Sequence, residues 1–318
     1  MKIPLVMACN DGYAPALGVA ILSLQAQQRD EDQSIIHILY SDLSHPQIAR
    51  LEGLSRSGCT VRCIRIDPPE LPETSNWVSR ETYYRLLAAD LLPEYDKLLY
   101  LDCDVIVLSD LSELYRQELG DHLLAGVCDF RFDGGYASRV IGVPSSAYIN
   151  ASVLLIQADL WRRERIAPQC LSFLRTHQNL EAYDQDALNS VCRDRILLLD
   201  KKWNFQQVWP EIFNWHPRHE EFRRIAQVSP EEPFQFSETG ILHYVCAEKP
   251  WRNPQRELSE YFWRCARGSV FYEMLLCPPA KGENRLGPIR RGWSCLREHG
   301  PAYTLKRILH KATNGRVH

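Results

Sequence analysis

No stretch of this 318-residue sequence approaches the about 20 consecutive apolar residues that a membrane-spanning helix needs. Met1 to Asn10 carries a single lysine and an apolar run too short for a secretory signal, so no cleaved leader is expected. Gly/Ser linkers, low-complexity tracts and repeats at a fixed period are all missing, which favours one main domain. The turn after the first apolar run, Asn10-Asp11-Gly12-Tyr13, has neither GxGxxG nor a Walker pattern, so no Rossmann dinucleotide site or P-loop is expected there. The 11 cysteines are an odd number scattered without CxxC spacing. They point to reduced thiols in a cytoplasmic protein and give no support for a zinc site.

What is present has the composition of a soluble globular protein, 45% apolar and 24% charged. The net charge of −3 is unevenly spread. From Pro279 onward nine Lys/Arg face two acids, which makes that tail +7 and leaves −10 for residues 1–278. A basic tail on an acidic body suggests an anionic partner for the tail alone.

Strand and helix patterns alternate from the start. Ile3 to Cys9, Ile35 to Tyr40 and Thr60 to Ile66 read as strands, separated by helices over Pro15–Leu24 and Pro46–Ser55. This alternation predicts an α/β fold with a mostly parallel sheet and helices on both faces. A Pro-rich loop over Pro68–Asn76 precedes a helix that begins near Arg80 and closes at Leu91-Leu92-Pro93. Arg85 on that helix is read either as a solvated arginine or as a planar donor aimed at a phosphate or sugar. Leu111 to Leu119 reads as a short helix, Leu123 to Cys128 as a strand ending at Asp129, and Arg131 to Ser146 as a loop long enough to cover a site. Tyr148 to Ile156 is a strand carrying Asn150, and a helical pattern runs from Leu160 through His177. Asp184 and Asp186 open a further helix, where two acids suit the helix dipole. Ile196 to Leu199 and Ile241 to Tyr244 are the last strands, and residues 209–235 give no clear pattern. His243, at a strand end, is read as structural unless it finds ligating partners.

One stretch stands apart. Leu98 to Val107 reads as a strand buried on both faces, interrupted by Asp102 and Asp104 at i and i+2. Unpaired buried carboxylates cost several kcal/mol, so each needs a partner. On a strand the two side chains share a face and can reach one hard divalent cation. A second reading ends the strand near Leu101 and uses both acids to cap a turn or the helix starting near Asp110. The tripeptide alone does not separate the two.

Five pieces occur in order: Tyr83-Tyr84-Arg85, Leu99-Tyr100-Leu101-Asp102-Cys103-Asp104-Val105, Asn150-Ala151-Ser152-Val153-Leu154-Leu155, Asp184-Gln185-Asp186, and His243-Tyr244 followed by Lys249-Pro250-Trp251. The series resembles glycosyltransferase family 8 over residues 3–255, above all the bacterial lipopolysaccharide galactosyl- and glucosyltransferases, with glycogenin as a distant relative. The resemblance implies a GT-A fold in a catalytic domain over residues 1–278, acting with retention of anomeric configuration. It puts Asp102, Asp104 and His243 on Mn²⁺, with Mg²⁺ as the substitute, and Lys249 on the diphosphate of UDP. It makes Ala8, Asn10 and Tyr13 a uridine site, although the family often has Asp where Asn10 stands. It assigns Arg85, Asp129, Asn150, Ala151, Asp184 and Gln185 to the donor sugar, with Asp184 accepting from its hydroxyls and Gln185 near the anomeric carbon. No carboxylate in these motifs stands out as a double-displacement nucleophile, so the resemblance favours front-face attack over the glycosidase route.

The implied reaction moves a hexose from UDP-galactose or UDP-glucose to an oligosaccharide or glycolipid acceptor of a cell-surface glycan. Two rivals are a metal-dependent hydrolase or nucleotidyltransferase using the same paired acids, and a glycan-binding module that has lost activity. The tail, residues 279–318, mixes Leu286, Ile289, Trp293, Leu296, Leu305, Ile308 and Leu309 with its basic residues. An amphipathic basic helix of that kind lies on anionic lipid. With a lipid-linked acceptor this favours the inner face of the cytoplasmic membrane over a disordered tail or nucleic-acid contact.

Overall fold

A computed structural model of the chain describes residues 1–67, 70–73, 79–129, 135–177, 180–216, 218–226, 228–229, 233–236, 239–245 and 247–276. The basic tail, part of the Pro-rich loop and the start of the covering loop lie outside the described residues.

Apolar β-branched runs form β1 (Lys2–Ala8), β2 (Gln33–Tyr40) and β3 (Cys59–Arg65), with α1 (Ala14–Gln27) and α2 (His45–Glu52) between them. Then come α3 (Tyr84–Leu91), β4 (Lys97–Leu101), β5 (Val105–Val107), α4 (Ser112–Arg116), β6 (Leu124–Cys128) and β7 (Ile149–Gln157). After them follow α5 (Ala158–Arg163), α6 (Ile166–Thr176), α7 (Asp184–Val191), β8 (Ile196–Leu198) and β9 (Phe205–Gln206). The remainder is α8 (Trp209–Trp215), α9 (His219–Ile225), β10 (Ile241–His243), α10 (Ser259–Ala266) and α11 (Val270–Leu276).

The main sheet has seven strands in the order β3-β2-β1-β4-β7-β6-β8. Strand β7 is antiparallel to both neighbours, and every other adjacent pair is parallel. Along β1, Leu5 and Met7 enter one core while Val6 and Ala8 enter another, so both faces are covered as a parallel sheet requires. The chain runs outward from β1 through β2 to β3, then crosses back to lay β4 on the other side of β1. That reversal opens a crevice at the carboxyl ends of β1 and β4, where ligands bind in open α/β sheets. Because β7 is reversed, its first residues lie at the same edge as the ends of β4 and β6.

The expected single strand over Leu98–Val107 is corrected. Strand β4 ends at Leu101, and Asp102, Cys103 and Asp104 turn the chain into β5, which belongs to a second sheet of order β5-β10-β9. The acids therefore do not share a strand face. β4 is hydrogen-bonded on both sides by β1 and β7. Leaving the ladder lets the carboxylates project at the edge, where charged partners wait. Nor do they cap a helix: Ser112 N–H donates to Asp110 at 3.0 Å. The helical pattern through His177 is likewise two helices, broken at Arg165, whose φ of 55° cannot continue a right-handed helix.

Trp209–Trp215 and His219–Ile225 form α8 and α9, which the sequence pattern did not give. Helices α10 and α11 pack on α1. Gly18 in the middle of α1 permits this, because a Cβ there would sit 2.3 Å from the Phe271 ring of α11.

Candidate active site

The edge formed by the ends of β1, β4 and β6 and the start of β7 collects nearly every polar residue singled out in the sequence. Ala8 is the last residue of β1, and the following turn carries Asn10 and Tyr13. Asn10 accepts from Gly12 N–H at 3.1 Å and donates to Glu81 at 3.2 Å. An aspartate at this position would set a second carboxylate against the buried Glu81, which explains the amide found here. Tyr13 meets Trp251 edge-on with ring centroids 5.8 Å apart.

Asp102 and Asp104 are placed by the turn between the two sheets. His243 reaches them because β10 pairs with β5 in a register that sets His243 opposite Val105, and Tyr244 N–H donates to the Asp104 carbonyl at 3.0 Å. One ligating atom from each of Asp102, Asp104 and His243 lies within 4.8 Å of the others. Lys249 donates to Asp104 Oδ2 and to the Tyr244 carbonyl. Asp104 Oδ1 is buried without a hydrogen-bond partner and lies 3.5 Å from His243 Nε2. Two carboxylates, an imidazole and an orphaned carboxylate oxygen form a donor set that fits a divalent cation accepting oxygen and nitrogen ligands. Burial pushes the Asp104 carboxyl up, but Lys249 and His243 overcome that and hold it well below the usual carboxylate range.

Arg85 is not solvated. Its guanidinium is buried and donates to Asp102 Oδ1 at 2.9 Å, to the Ala151 carbonyl, to the Thr82 carbonyl at 3.0 Å and to Thr82 Oγ1 at 3.3 Å. Its Nε also lies 2.9 Å from Asp184 Oδ2, and a longer 3.5 Å contact reaches Asp102 Oδ2. All five N–H groups are thereby engaged with the protein. Arg85 is the charge that lets the half-buried Asp102 and the buried Asp184 lie side by side. Thr82 Oγ1 donates to Asp184 Oδ1 at 2.7 Å. Burial nonetheless raises the Asp184 carboxyl from 3.8 to about 6, with Arg85 and the Thr82 hydroxyl opposing it.

Asp129, Asn150 and Gln185 form a closed amide–carboxylate cluster beside this pair. Asp129 Oδ2 accepts from Asn150 Nδ2 at 2.8 Å and Gln185 Nε2 at 3.1 Å. Gln185 Oε1 in turn accepts from Asn150 Nδ2 and from Ala151 N–H. Tyr183, with φ 44°, turns the chain so that α7 begins with Asp184 and Gln185 facing the site. Asp186 is not a mere dipole partner. It is 0% exposed and accepts from Tyr136 at 2.7 Å, Tyr148 at 2.5 Å and Ala182 N–H at 2.9 Å.

Several site residues were not found by sequence reasoning: Glu81, Thr82, Ser152 and Asn204. Thr82 precedes the Tyr83-Tyr84-Arg85 piece and Ser152 follows Asn150, so proximity to motifs was the available signal. Asn204, which the sequence places in a loop and the structure at the end of a 3-10 turn over Lys201–Asn204, had none.

A model of the family described as glycosyl transferase family 8 matches residues 4–255. The chain belongs to glycosyltransferase family 8. The chain is 26% identical over 273 residues to general stress protein A of Bacillus subtilis, covering 81% of this chain and 91% of that one. It is 29% identical over 247 residues to the lipopolysaccharide 1,2-glucosyltransferase of Escherichia coli, covering 75% and 70%. The solved structure of the galactosyltransferase LgtC, in complex with donor and acceptor sugar analogues, superposes with a TM-score of 0.71 at 27% identity. That likeness covers 84% of this chain and 96% of LgtC. The expected family and the mostly parallel α/β architecture of GT-A proteins are thus found.

Proposed function

We propose that this family-8 glycosyltransferase transfers galactose or glucose, with retention, from a UDP-sugar to a saccharide acceptor of lipopolysaccharide or another cell-surface glycan. The observation that carries the reading is the meeting of Asp102, Asp104 and His243 beside Lys249, at the crevice where the sheet reverses. Asp102, Asp104 and His243 would hold Mn²⁺ or Mg²⁺, which when bound supplies a Lewis acid that neutralises charge on the departing diphosphate. Lys249 would add a second positive charge there. Ala8, Asn10 and Tyr13 would receive the uridine. Asp129, Asn150, Ala151, Asp184 and Gln185 would hold and orient the hexose, and Arg85 would fix Asp102 and Asp184 around it.

The state of the carboxylates supports front-face attack. A double displacement needs a free carboxylate at the sugar's β face. Asp186 has both oxygens accepting hydrogen bonds and no exposed surface, and Asp184 is held by Arg85 and Thr82. The acceptor hydroxyl would then attack on the side from which UDP departs, passing its proton to a phosphate oxygen. The E. coli and LgtC likenesses support a saccharide acceptor. The composition of residues 279–318 supports contact with anionic lipid at the inner face of the cytoplasmic membrane, and no nucleic acid is needed as partner. No described helix is long and apolar enough to cross a membrane.

Release of UDP from a panel of UDP-sugars, with Mn²⁺ and with EDTA, followed by addition of saccharide acceptors, tests the reading. A Mn²⁺-dependent signal with one UDP-hexose and a glycosylated acceptor as product is expected. Free hexose as the sole product in the presence of acceptors points to a hydrolase instead. Pyrophosphate-dependent formation of UTP points to a nucleotidyltransferase.

A further inference from the structure

We infer that Asn204 is a positioning residue that selects which nitrogen of His243 faces the two aspartates. The inference rests on the metal reading of Asp102, Asp104 and His243 only for its consequence; the tautomer itself follows from the hydrogen bonds.

The relay begins at a group whose role is unambiguous. A backbone N–H can only donate, so Ser152 N–H, 3.0 Å away, fixes the acceptor oxygen Oδ1 of Asn150. The Asn150 Nδ2 therefore points the other way, where it donates to Asp129 Oδ2 at 2.8 Å. Asn150 Oδ1 also accepts from Asn204 Nδ2 at 2.9 Å. With its NH₂ committed there, Asn204 presents Oδ1 to His243 Nδ1, 2.9 Å away. An amide oxygen accepts only, so Nδ1 carries the ring proton.

The lone pair of the neutral ring is then on Nε2, which faces Ser152 Oγ at 3.2 Å and Asp104 Oδ1 at 3.5 Å. In this tautomer Ser152 donates its hydroxyl proton to Nε2 in the metal-free protein, and a divalent cation between the aspartates would take that lone pair in place of the hydroxyl. The opposite tautomer would aim an N–H at the cation position and set the Nδ1 lone pair against Asn204 Oδ1. Asp129, Asn150, Asn204 and His243 are all buried, Asn204 at 0% exposure, so water does not compete for these bonds. Partners on the far nitrogen of a ligating histidine commonly change metal affinity about 10–100-fold when removed. The relay also spans from β6 and β7 in the main sheet to β10 in the small one. It ties the Asp129–Asn150–Gln185 cluster to the histidine, so the two halves of the site share one hydrogen-bond register.

The test uses the full chain, labelled with ¹⁵N-histidine and freed of metal, at about pH 8.5, where an ordinary histidine is neutral. Long-range ¹H–¹⁵N spectra report the tautomer of each ring, and loss of a signal in His243→Ala identifies His243. A protonated Nδ1 in the unsubstituted protein is expected. Asn204→Ala should move the proton toward Nε2 and weaken Mn²⁺ binding, measured by calorimetry, about 10–100-fold. Asn204→Asp keeps an acceptor at Nδ1 and should keep the tautomer. A proton on Nε2 in the unsubstituted protein overturns the inference, as does an unchanged tautomer in Asn204→Ala. Should Asn204→Ala fail to fold, the unsubstituted spectrum still decides. If the unsubstituted protein shows the Nδ1–H form yet binds neither Mn²⁺ nor Mg²⁺, the metal reading fails and the role of Asn204 in setting the tautomer stands.

Discussion

Asp104 is packed against a lysine and a histidine, with one buried oxygen left without a hydrogen-bond partner. Replacing it with asparagine keeps the shape but removes the charge that Lys249 and His243 balance. Asp104→Asn should lower UDP-sugar turnover by more than the about 10–100-fold typical of residues behind a metal's ligands. The circular dichroism spectrum should be unchanged, and transfer at the unsubstituted rate would remove the metal reading. Asp184 yields a prediction of opposite sign to the usual carboxylate. Its value is raised from 3.8 to about 6, so between those pH values the native state binds a proton that the unfolded chain has released. This contribution to stability is present at low pH and is lost as pH rises from about 4 to about 6. Thermal midpoints of Asp184→Asn, compared with the unsubstituted protein across that window, should lack this part of the slope. Sequence reasoning picked out Asp184 by its motif, but its pairing with Arg85 required α3 and α7 to be brought together.

Two elements hold the site's frame from behind. Strand β5 is only three residues long, yet its pairing with β10 delivers His243 to Asp104. Helix α11 seats Phe271 over Gly18 in α1, the helix that follows the Asn10–Tyr13 turn. A glycine inside a helix costs about 0.5–1 kcal/mol relative to alanine. Gly18→Ala would recover that but drive a methyl into the ring, and overpacking of this kind costs about 1–3 kcal/mol. A net fall in thermal midpoint of a few degrees is expected, reversed by combining Gly18→Ala with Phe271→Leu. An unchanged or higher midpoint in the single variant would show that α11 can shift freely. Apolar runs made β1, β2, β3 and β6 legible, because each is at least five residues long. Strands β5 and β9 have three and two residues, too few for any period to register. Helices α8 and α9 were missed because Trp, Pro and His crowd their sequence.

At the scale of the molecule, a body of −10 carries a tail of +7. If the tail meets anionic lipid, the full chain should float with vesicles containing phosphatidylglycerol, and less so as salt rises. Lys306→Gln, Arg307→Gln and Lys311→Gln together should weaken flotation while leaving UDP release from the donor unchanged. Equal flotation with neutral vesicles would argue against the electrostatic contact. By itself the sequence determined the family, the α/β order of its longer elements and the identity of the residues that meet at the candidate metal site, because motifs and periodicities are local and survive without knowledge of the partner strand. Only the tertiary structure decided that Asp102 and Asp104 lie in a turn between two sheets, that Arg85 is an internal counter-ion, and that Asn204 stands behind His243. Each of those depends on the register between segments remote in sequence. Such a register is set by how the two sheets and their helices close around one crevice.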